Sequence, residues 1–451
     1  VLQAGGDLTK YKVKGAGRET RQVFDDGERI EDLSKIRYSL KIGKVYGSDR
    51  LDLPNRLVLT TYQTLTDYQF SLSRVDWSIV AFDEAQSLKN PNTLTTRAAK
   101  ALKSDFKLLA TGTPVENSLK DFWCLMGTCV PGLLGAWQDF RATYIAPILG
   151  SPEEEKRQRK IDVGRRLRDR VGEYMLRRTK EEKLKGLPQK KIYSGYPESR
   201  NAEYLPVLAG LMKDEQLQRY EDIVANVKDT ISDDRRSLVL PSLQKLRITS
   251  IHHGVAEQEK ISGNIKELIE FARKSSKIES LLCLLDEIKG RDEKVIIFAT
   301  DKSVQRFVSV LVSTYYKVKV ETINGETKAV AKKKSDLTRK GIIDEFQNAP
   351  GFGVIIMSPV AAGVGLTVTG ANNVIHLERH WNPAKEAQAT DRVYRIGQQR
   401  DVNVYLPMAL HPEIASFDVQ LNSLLSNKID LSDAVVANEE VDSSDLAGVF
   451  A

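Results

Sequence analysis

The chain has 451 residues, and its 67 Lys and Arg residues against 61 Asp and Glu residues give a net charge of +6. This length predicts about three domain-sized units, and the small net charge means that any strongly basic surface must come from local clustering. Three cysteines and five histidines without CxxC or HExxH spacing argue against a structural zinc site and indicate a reducing compartment.

No apolar run reaches the roughly 18 residues of a membrane span, and the first residues do not resemble a signal peptide. We therefore expect a soluble, cytoplasmic protein with no membrane partner. The sequence contains no GxxxxGK[ST] loop, and Gly43-Lys44-Val45 lacks the upstream glycine and the hydroxyl residue that such a phosphate-binding loop needs.

The run from Arg56 to Tyr62 is rich in strand-forming residues and predicts a β-strand that contains Thr60 and Thr61 near its end. Their hydroxyls could contact phosphate groups of a nucleic acid, but threonine is also simply a good strand residue. The residues alone favour the second explanation.

A short apolar run, Ser78 to Phe82, is followed directly by Asp83 and Glu84. This pattern is typical of a buried parallel strand that delivers acids to the carboxyl edge of a sheet, where nucleotides bind. There an aspartate can hold Mg²⁺, and a neighbouring glutamate can orient and deprotonate an attacking water. Taken alone, the pair is more typical of a solvated strand end.

A helix is predicted from Leu94 to Leu102, and a second strand from Lys107 ends in the hydroxyl-rich turn Thr111-Gly112-Thr113. Strand, acid turn, helix, strand and hydroxyl turn is the order found in parallel α/β sheets. We therefore expect these two turns at one edge of a sheet.

Between Lys156 and Lys180 there are eleven Lys and Arg residues, including Arg165 and Arg166, against three acids. Apolar residues recur at helical intervals, which predicts a helix with one packed stripe and a basic surface. That surface either is a solvated face or follows the phosphates of a nucleic acid. Further along, His252 and His253 lack a nearby third ligand in the sequence, so we predict structural or capping roles for them.

A second α/β unit follows the helical residues 201–269. Strands are predicted at 294–300, 318–323, 353–358 and 374–377, with a helix at 304–312. A glycine-rich turn, which includes Gly365 and Thr367, follows the third of these strands.

Gln388, Arg392 and Arg395 are spaced i, i+4 and i+7, which predicts one face of a helix that begins after Trp381-Asn382-Pro383. Two guanidinium groups presented together can bind a phosphate chain, although a surface helix with two arginines is the simpler alternative. Residues 430–451 contain six acids and no Lys or Arg, which predicts an acidic tail.

In this order the motifs resemble those of the Swi/Snf-like family of superfamily 2 nucleic-acid translocases. The segments that carry the resemblance are Leu59–Tyr62, Asp83–Gln86, Ala110–Asn117, Leu176–Lys180, Leu187–Lys190, Ala361–Leu366, Trp381–Pro383 and Gln388–Gln398. The resemblance implies an α/β fold of two RecA-like parallel-sheet lobes with helical insertions between them. It divides the chain into a first lobe at 1–200 with a basic helical protrusion at about 136–183, a linker at 201–260, a second lobe at 261–429 and the tail.

The resemblance also implies that the protein uses ATP and Mg²⁺ to move along double-stranded DNA, with ATP between the lobes. Asp83 would hold the metal, Glu84 would activate water, and Arg392 and Arg395 would reach the γ-phosphate. Gln86, Gly365 and Gln388 fall in the nucleotide motifs, and Thr111 to Thr113 in the coupling motif. The implied DNA contacts are Thr60, Thr61, Lys302, Thr367, Trp381, Arg165 and Arg166.

Three features depart from the family pattern. The family's ATP-binding glycine loop precedes the acid pair by roughly a hundred residues, so we expect this chain to begin downstream of that loop. Position 86 is Gln where many members have His, and the second-lobe turn reads Gly-Val-Gly-Leu-Thr where Gly-Gly-x-Gly-Leu-Asn is commoner. The last two features are typical of bacterial variation.

Three functions remain open at this point. The first is a DNA-translocating ATPase motor, and bacterial members of the family include phage-defence translocases. The second is a non-hydrolysing DNA-binding or partner-docking module with the same two lobes. The third is an ATPase that remodels RNA polymerase, which would make protein partners of a transcription complex as relevant as those of a defence complex.

Overall fold

A computed structural model describes residues 23–25, 28–29, 56–58, 60–112, 118–152, 155–178, 184, 186–199, 202–232, 239–259, 264–328, 338–362 and 366–436. The chain divides into two compact units, of which unit 1 comprises Val1–Arg177 with Asp430–Ala451 and unit 2 comprises Arg178–Ile429.

Unit 1 contains two small sheets in its described part. The strands are β1 (Val23–Asp25), β2 (Glu28–Arg29), β3 (Arg56–Val58), β4 (Asp76–Phe82) and β5 (Lys103–Leu109). The first three pair antiparallel, whereas β4 and β5 are parallel and in register from Asp76 opposite Lys103 to Phe82 opposite Leu109. The predicted acid turn and hydroxyl turn therefore leave the same edge of one sheet.

Seven helices belong to the described part of unit 1. They are α1 (Tyr62–Asp67), α2 (Gln69–Leu72), α3 (Leu94–Ala101), α4 (Leu119–Cys129), α5 (Trp137–Phe140), α6 (Ala146–Leu149) and α7 (Lys156–Val171). The helix predicted at 94–102 is confirmed by α3. The strand predicted from Arg56 to Tyr62 is wrong in its second half, because Thr61 caps α1 and Tyr62 begins that helix.

Strand β4 is less buried than the sequence predicts. Val80 and Phe82 pack into a core with α1, α3 and α4, but Ile79 on the opposite face is 64% exposed, and Phe106 on β5 is 58% exposed. The expectation of a strand buried on both faces is therefore wrong for the described residues. Within them this sheet has two strands, and helices cover one face of it.

A second core in unit 1 joins α4, α5 and α7. Phe122 and Met126 from α4 and Phe140 from α5 pack with Leu167 and Val171 from α7. The packed stripe predicted for the basic helix is confirmed, because these apolar side chains of α7 are buried and its arginines at 165 and 166 are exposed.

Unit 2 is built on a seven-stranded parallel sheet. Its order is β10-β11-β9-β12-β13-β6-β7. The strands are β6 (Lys190–Ser194), β7 (Glu203–Tyr204), β9 (Lys294–Phe298), β10 (Val320–Ile323), β11 (Gly353–Met357), β12 (Asn373–His376) and β13 (Val402–Leu406). A separate parallel pair is formed by β8 (Ala209–Leu211) and β14 (Met408–Leu410).

Helices cover both faces of the large sheet. Along β9, Val295 and Ile297 enter one core, whereas Ile296 and Phe298 enter another, because successive strand residues point to opposite faces. The helices in the described part of unit 2 are α8 (Asp214–Ser232), α9 (Val239–Ile251), α10 (His253–Ala256), α11 (Ile265–Arg273), α12 (Ser276–Gly290), α13 (Lys302–Tyr316), α14 (Arg339–Asn348), α15 (Pro359–Ala362), α16 (Pro383–Thr390) and α17 (Phe417–Val436), whose residues from Asp430 onward are assigned to unit 1.

The strands predicted in the second α/β unit and the helix predicted at 304–312 are present as β9 to β12 and α13. The α/β fold class is confirmed by these parallel sheets flanked by helices. The predicted domain limits stay a prediction. Strand β6, which precedes residue 200, pairs with β13 in the large sheet of unit 2, and α17 continues to Val436.

A third core of unit 2 lies beside the β8–β14 pair. Tyr220 from α8, Leu246 from α9 and Leu421 from α17 pack there. Among the helices in the described ranges, none is long and apolar enough to cross a membrane.

Candidate active site

The acid pair occupies a sharp turn at the end of β4. Glu84 has a left-handed backbone with φ of 49°, and its N–H donates to Oδ1 of Asp83 at 3.0 Å. The Tyr62 hydroxyl donates to the Asp83 carbonyl at 2.7 Å. Burial, with the nearby carboxylates of Asp83 and Glu84, raises the pKa of Tyr62, so this hydroxyl keeps its proton and remains a donor. Both acidic side chains are exposed.

A hydrogen-bonded network connects the acid turn to the turn after β5. The Thr111 hydroxyl donates to Oε1 of Gln86 at 2.7 Å, and Nε2 of Gln86 donates to Oε2 of Glu84 at 2.5 Å. The backbone reinforces this link, since the Ala85 N–H donates to the Ala110 carbonyl at 2.9 Å. Gln86 thus bridges the acid pair and the hydroxyl turn, a role that its position in the motif alone did not reveal.

The exposed Asp83 carboxylate fits the chemistry of Mg²⁺. This ion is commonly held by one or two carboxylates together with substrate phosphates and water. Gly112 is described, whereas Thr113 and the residues up to Asn117 lie outside the described residues.

Thr61 has a structural role in the described chain. Its hydroxyl accepts from the N–H of Thr64 at 3.1 Å and caps α1. Both Thr60 and Thr61 are exposed, so contact with a ligand remains sterically open to them. Their role in DNA binding stays a prediction.

The arginine segment of unit 2 has a different geometry from the predicted one. Helix α16 ends at Thr390, and its C-cap is Asp391. The prediction that Gln388, Arg392 and Arg395 share one helix face is therefore wrong, because the two arginines lie in the turns that follow the helix. Arg392 is buried and Arg395 is exposed.

The turns after α16, which contain Arg392 and Arg395, lie against the segment between α15 and β12 that contains Thr367. The Val368 N–H donates to the Arg392 carbonyl at 2.9 Å, and Nε2 of Gln398 donates to the Ala371 carbonyl at 2.7 Å. Thr367 itself is exposed beside this contact, and Gly365 lies outside the described residues. Two motifs that are about 25 residues apart are thus held together by one main-chain hydrogen bond and one from a side-chain amide.

Lys302 and Trp381 make contacts of different kinds. Lys302 begins α13, and its Nζ pairs with Oε1 of Glu326 at 2.5 Å at an exposed position. Trp381 is half-buried, with its ring edge-to-face with Phe417 at 5.4 Å and the Arg247 guanidinium 5.8 Å from its ring centroid. Packing accounts for these contacts of Trp381, and DNA binding by either residue stays a prediction.

The basic helix α7 presents Arg165 and Arg166 to solvent. The Arg166 guanidinium lies 5.6 Å from the ring centroid of Tyr144, and Nε of Arg170 donates to the Leu133 carbonyl at 3.3 Å. Arg168 is half-buried. Arg165, Arg166 and Arg170 are thus the exposed arginines in this part of the helix, and phosphates can reach them.

Sequence reasoning missed two buried ion pairs near α16. Arg379 makes a two-oxygen contact with Glu386, with its shortest bond at 2.7 Å, and Arg247 lies 2.6 Å from Glu378. The other Glu378 oxygen accepts from the N–H groups of Thr300 and Asp301. These contacts connect the end of β9, helix α9 and the start of α16. The partners are far apart in the sequence, so the contacts can be recognised only in the folded structure.

The two parallel α/β units, one with an acid pair at a strand end and the other with Arg392 and Arg395 after α16, are consistent with a helicase-like protein of superfamily 2. Residues 6–197 match the SNF2-related domain, and residues 276–397 match the helicase conserved C-terminal domain. The chain belongs to the Swi/Snf-like family of superfamily 2, a family of ATP-using enzymes.

Two curated bacterial relatives align with most of the chain. It is 39% identical over 402 residues to Zorya protein ZorD of Escherichia coli O139:H28 (strain E24377A / ETEC), covering 88% of this chain and 35% of that protein. It is 31% identical over 389 residues to the putative ATP-dependent helicase/translocase YwqA of Bacillus subtilis (strain 168), covering 85% and 38%. The chain thus spans little more than a third of the length of these relatives.

A solved structure, the Sulfolobus solfataricus SWI2/SNF2 ATPase core in complex with dsDNA, is 29% identical to the chain. The match covers 87% of this chain and 76% of that one, with a TM-score of 0.42.

Proposed function

We propose that this chain is the motor part of a DNA-dependent ATPase that moves along double-stranded DNA. The observation that carries the proposal is the network from Glu84 through Gln86 to Thr111. It joins the carboxylate to which we assign the activation of water with the turn at the end of the neighbouring strand. A translocating ATPase needs such a connection, because hydrolysis has to be linked to movement of the protein.

Each charged residue has one role in the proposed reaction. Asp83 would hold Mg²⁺, and the ion would supply positive charge for the phosphate oxygens of ATP. Glu84 orients the attacking water and accepts its proton. Arg392 and Arg395 stabilise charge on the γ-phosphate, as the family resemblance implies.

The proposed DNA contacts go to the phosphate backbone. Exposed Arg165 and Arg166 on α7, Lys302 on α13 and the hydroxyls of Thr60, Thr61 and Thr367 suit phosphate oxygens. Because such contacts carry little sequence information, binding is expected to be independent of sequence and strongly dependent on salt.

A non-hydrolysing module with the same fold would need neither an acid pair nor both arginines. Asp83, Glu84, Arg392 and Arg395 are all present in this chain. This combination favours the motor over the DNA-binding or partner-docking alternative. Remodelling of RNA polymerase by the same motor would appear as co-purification with the polymerase.

The test is the ATPase rate of the complete encoded protein with and without duplex DNA, for the native sequence and for Glu84→Gln. We expect DNA to stimulate hydrolysis, and Glu84→Gln to lower the stimulated rate by about 100-fold or more, the usual contribution of a general base. Glu84→Gln should leave DNA affinity within about twofold. Absence of DNA-stimulated hydrolysis, or an unchanged rate in Glu84→Gln, would show that the protein is not such a motor.

We propose further that the motor acts in bacterial defence against phages. The proposal rests on the 39% identity to Zorya protein ZorD over 88% of the chain. Cells that carry the native gene with its neighbouring genes should restrict phage plaques, and cells with Glu84→Gln should not. Equal plaque numbers in both strains would contradict the defence role. If the native protein still showed DNA-stimulated ATPase activity, the motor function would stand.

A further inference from the structure

We propose that unit 2 contains a binding site for a divalent transition-metal ion, formed by Glu215, His253 and Glu259. One ligand atom from each residue lies within 4.8 Å of the other two. In the described ranges this is the one group of three or more such side chains close enough to share an ion. The site is separate from the acid pair and the arginine segment, and it goes beyond the proposed motor function.

His253 is the observation that distinguishes this group from an ordinary acidic surface. It is 1% exposed, and neither Nδ1 nor Nε2 has a hydrogen-bond partner in the protein. Leaving a buried polar group unsatisfied costs about 1–3 kcal/mol. Its Nε2 lies 3.6 Å from Oε2 of Glu215, so the ring nitrogen is directed at the carboxylates without bonding to them.

An imidazole ring binds a metal ion through the lone pair of an unprotonated nitrogen. Both ring nitrogens of His253 are buried, and its Nε2 lies on the side of the Glu215 carboxylate. An ion bound there would satisfy the buried nitrogen that the protein leaves without a partner.

In the adjacent His252, by contrast, both ring nitrogens have hydrogen-bond partners. Its Nδ1 accepts from the Gly254 N–H at 3.1 Å, and its Nε2 lies 2.7 Å from the Phe271 carbonyl. It therefore caps α10, which agrees with the capping role predicted from the sequence. For His253 the structural role stays a prediction, and the nearby Glu215 has no signal in the local sequence because it lies 38 residues earlier in the chain.

The fold brings the three ligands together from two separate segments. Glu215 lies in the first turn of α8, and His253 begins α10. After α10, Gln258 has φ of 59° and turns the chain back, so that the Glu259 N–H donates to the Gly254 carbonyl at 2.9 Å. A Cβ on Gly254 would lie 2.6 Å from the Phe271 ring and 3.1 Å from Cδ of Glu259, so the glycine makes room first for that ring and also for this carboxylate.

Lys274 competes with an ion for Glu215. Its Nζ lies 3.4 Å from Oε2 of Glu215, and its side chain is 46% exposed. An exposed lysine can swing into solvent at little cost, because a surface ion pair contributes about 0–1 kcal/mol. A bound cation would displace the ammonium group, so removal of this group should strengthen metal binding.

The ligand set selects the class of ion. One imidazole nitrogen and two carboxylates suit Zn²⁺ and related first-row ions, whereas Mg²⁺ prefers oxygen ligands alone. Three protein ligands leave a fourth position for water. Such an ion would connect the start of α8 to α10 and stabilise this part of unit 2.

The test is calorimetric titration of the complete protein with Zn²⁺ in the absence of nucleotide. Cys283 is exposed, so all variants carry Cys283→Ser to remove its thiol as a ligand. We expect one Zn²⁺ per chain, with affinity lowered at least about tenfold by Glu259→Gln or His253→Gln and raised severalfold by Lys274→Gln. His411→Gln is the matched control, because His411 is also buried but lies near a single carboxylate, that of Glu221 at 3.4 Å.

Thermal unfolding provides the second measurement. Zn²⁺ should raise the Tm of the native sequence and of His411→Gln, and it should leave the Tm of Glu259→Gln unchanged at the same concentration. Glu259 is exposed, so this variant is expected to fold normally. Failure of the native sequence to bind Zn²⁺, or equal affinities of the native sequence and Glu259→Gln, would overturn the proposal.

Discussion

The hydroxyl of Thr111 donates a hydrogen bond of 2.7 Å to the side-chain carbonyl of Gln86. Gln86 in turn donates to Glu84, so the turns after two parallel strands share one chain of side-chain hydrogen bonds. The carboxylate orientation at Glu84 therefore depends on a residue 27 positions away in the sequence. Four predictions follow from this network and from the contacts of α7 and α16.

Replacement of Thr111 by Val removes the donor to Gln86 and keeps the shape of the side chain. A hydrogen bond of this kind contributes about 1 kcal/mol, so we expect DNA-stimulated kcat to fall by up to about tenfold. Steady-state ATPase assays measure the change. Thr95→Val is the control, because Thr95 makes a similar hydroxyl contact with Thr66 at 3.1 Å away from the acid turn. Equal losses in both variants would contradict the role of the network.

The left-handed backbone of Glu84 in the acid turn lowers the stability of the folded protein. Its φ of 49° is unfavourable for residues with a Cβ by about 1–2 kcal/mol, and glycine does not have this cost. We expect Glu84→Gly to have a higher free energy of unfolding than Glu84→Ala by about 1 kcal/mol, although both lack ATPase activity. Chemical denaturation of the two variants measures the difference. A less stable glycine variant would mean that the turn relaxes when the carboxylate is removed.

Neutralisation of Arg165 and Arg166 should lower the affinity for duplex DNA and make that affinity less dependent on salt concentration. Each lost phosphate contact lowers the slope of log K against log[salt] by about 0.9, so we expect a decrease of up to about 1.8 for Arg165→Gln with Arg166→Gln. Fluorescence anisotropy over a salt series gives the slope. Lys266→Gln with Lys289→Gln removes two exposed charges from helices of unit 2 as the control. An unchanged slope in the arginine variant would mean that α7 presents a solvated surface and does not contact the DNA phosphates.

Glu386 should make stability depend on acidic pH. Burial acts to raise the pKa of Glu386, but the Arg379 guanidinium and hydrogen bonds outweigh it and hold the pKa below its ordinary value of 4.5. The unfolded chain therefore takes up a proton first, and stability present above pH 4.5 is lost as pH falls through the lower folded-state pKa.

Glu386→Gln tests this prediction. At pH 7 the variant should be less stable by about 3–5 kcal/mol, because Arg379 is left buried without its charge partner. The difference from the native sequence should narrow as pH falls below 4.5, and urea unfolding at several pH values measures it. A difference that is constant over this range would mean that the native carboxyl has an ordinary pKa.

Much of the local structure could be predicted because each element carries its own pattern. The apolar runs of β9, β11 and β12 and the periodic apolar positions of α7 are properties of consecutive residues, and all appear at the expected places. Helix ends were harder to predict. The spacing of Gln388, Arg392 and Arg395 matches the period of an α-helix, but it does not reveal that α16 ends at Thr390.

The sequence by itself determined the family, the parallel α/β class and the candidate residues at strand ends, because these depend on local order and on motifs. Only the tertiary structure decided which side chains meet. Gln86 reaches Thr111, Arg379 reaches Glu386, and Glu215 lies beside His253. The physical reason is that hydrogen bonds, ion pairs and metal sites depend on distances of a few ångströms, and those distances are set by how the elements pack, which spacing along the chain does not specify.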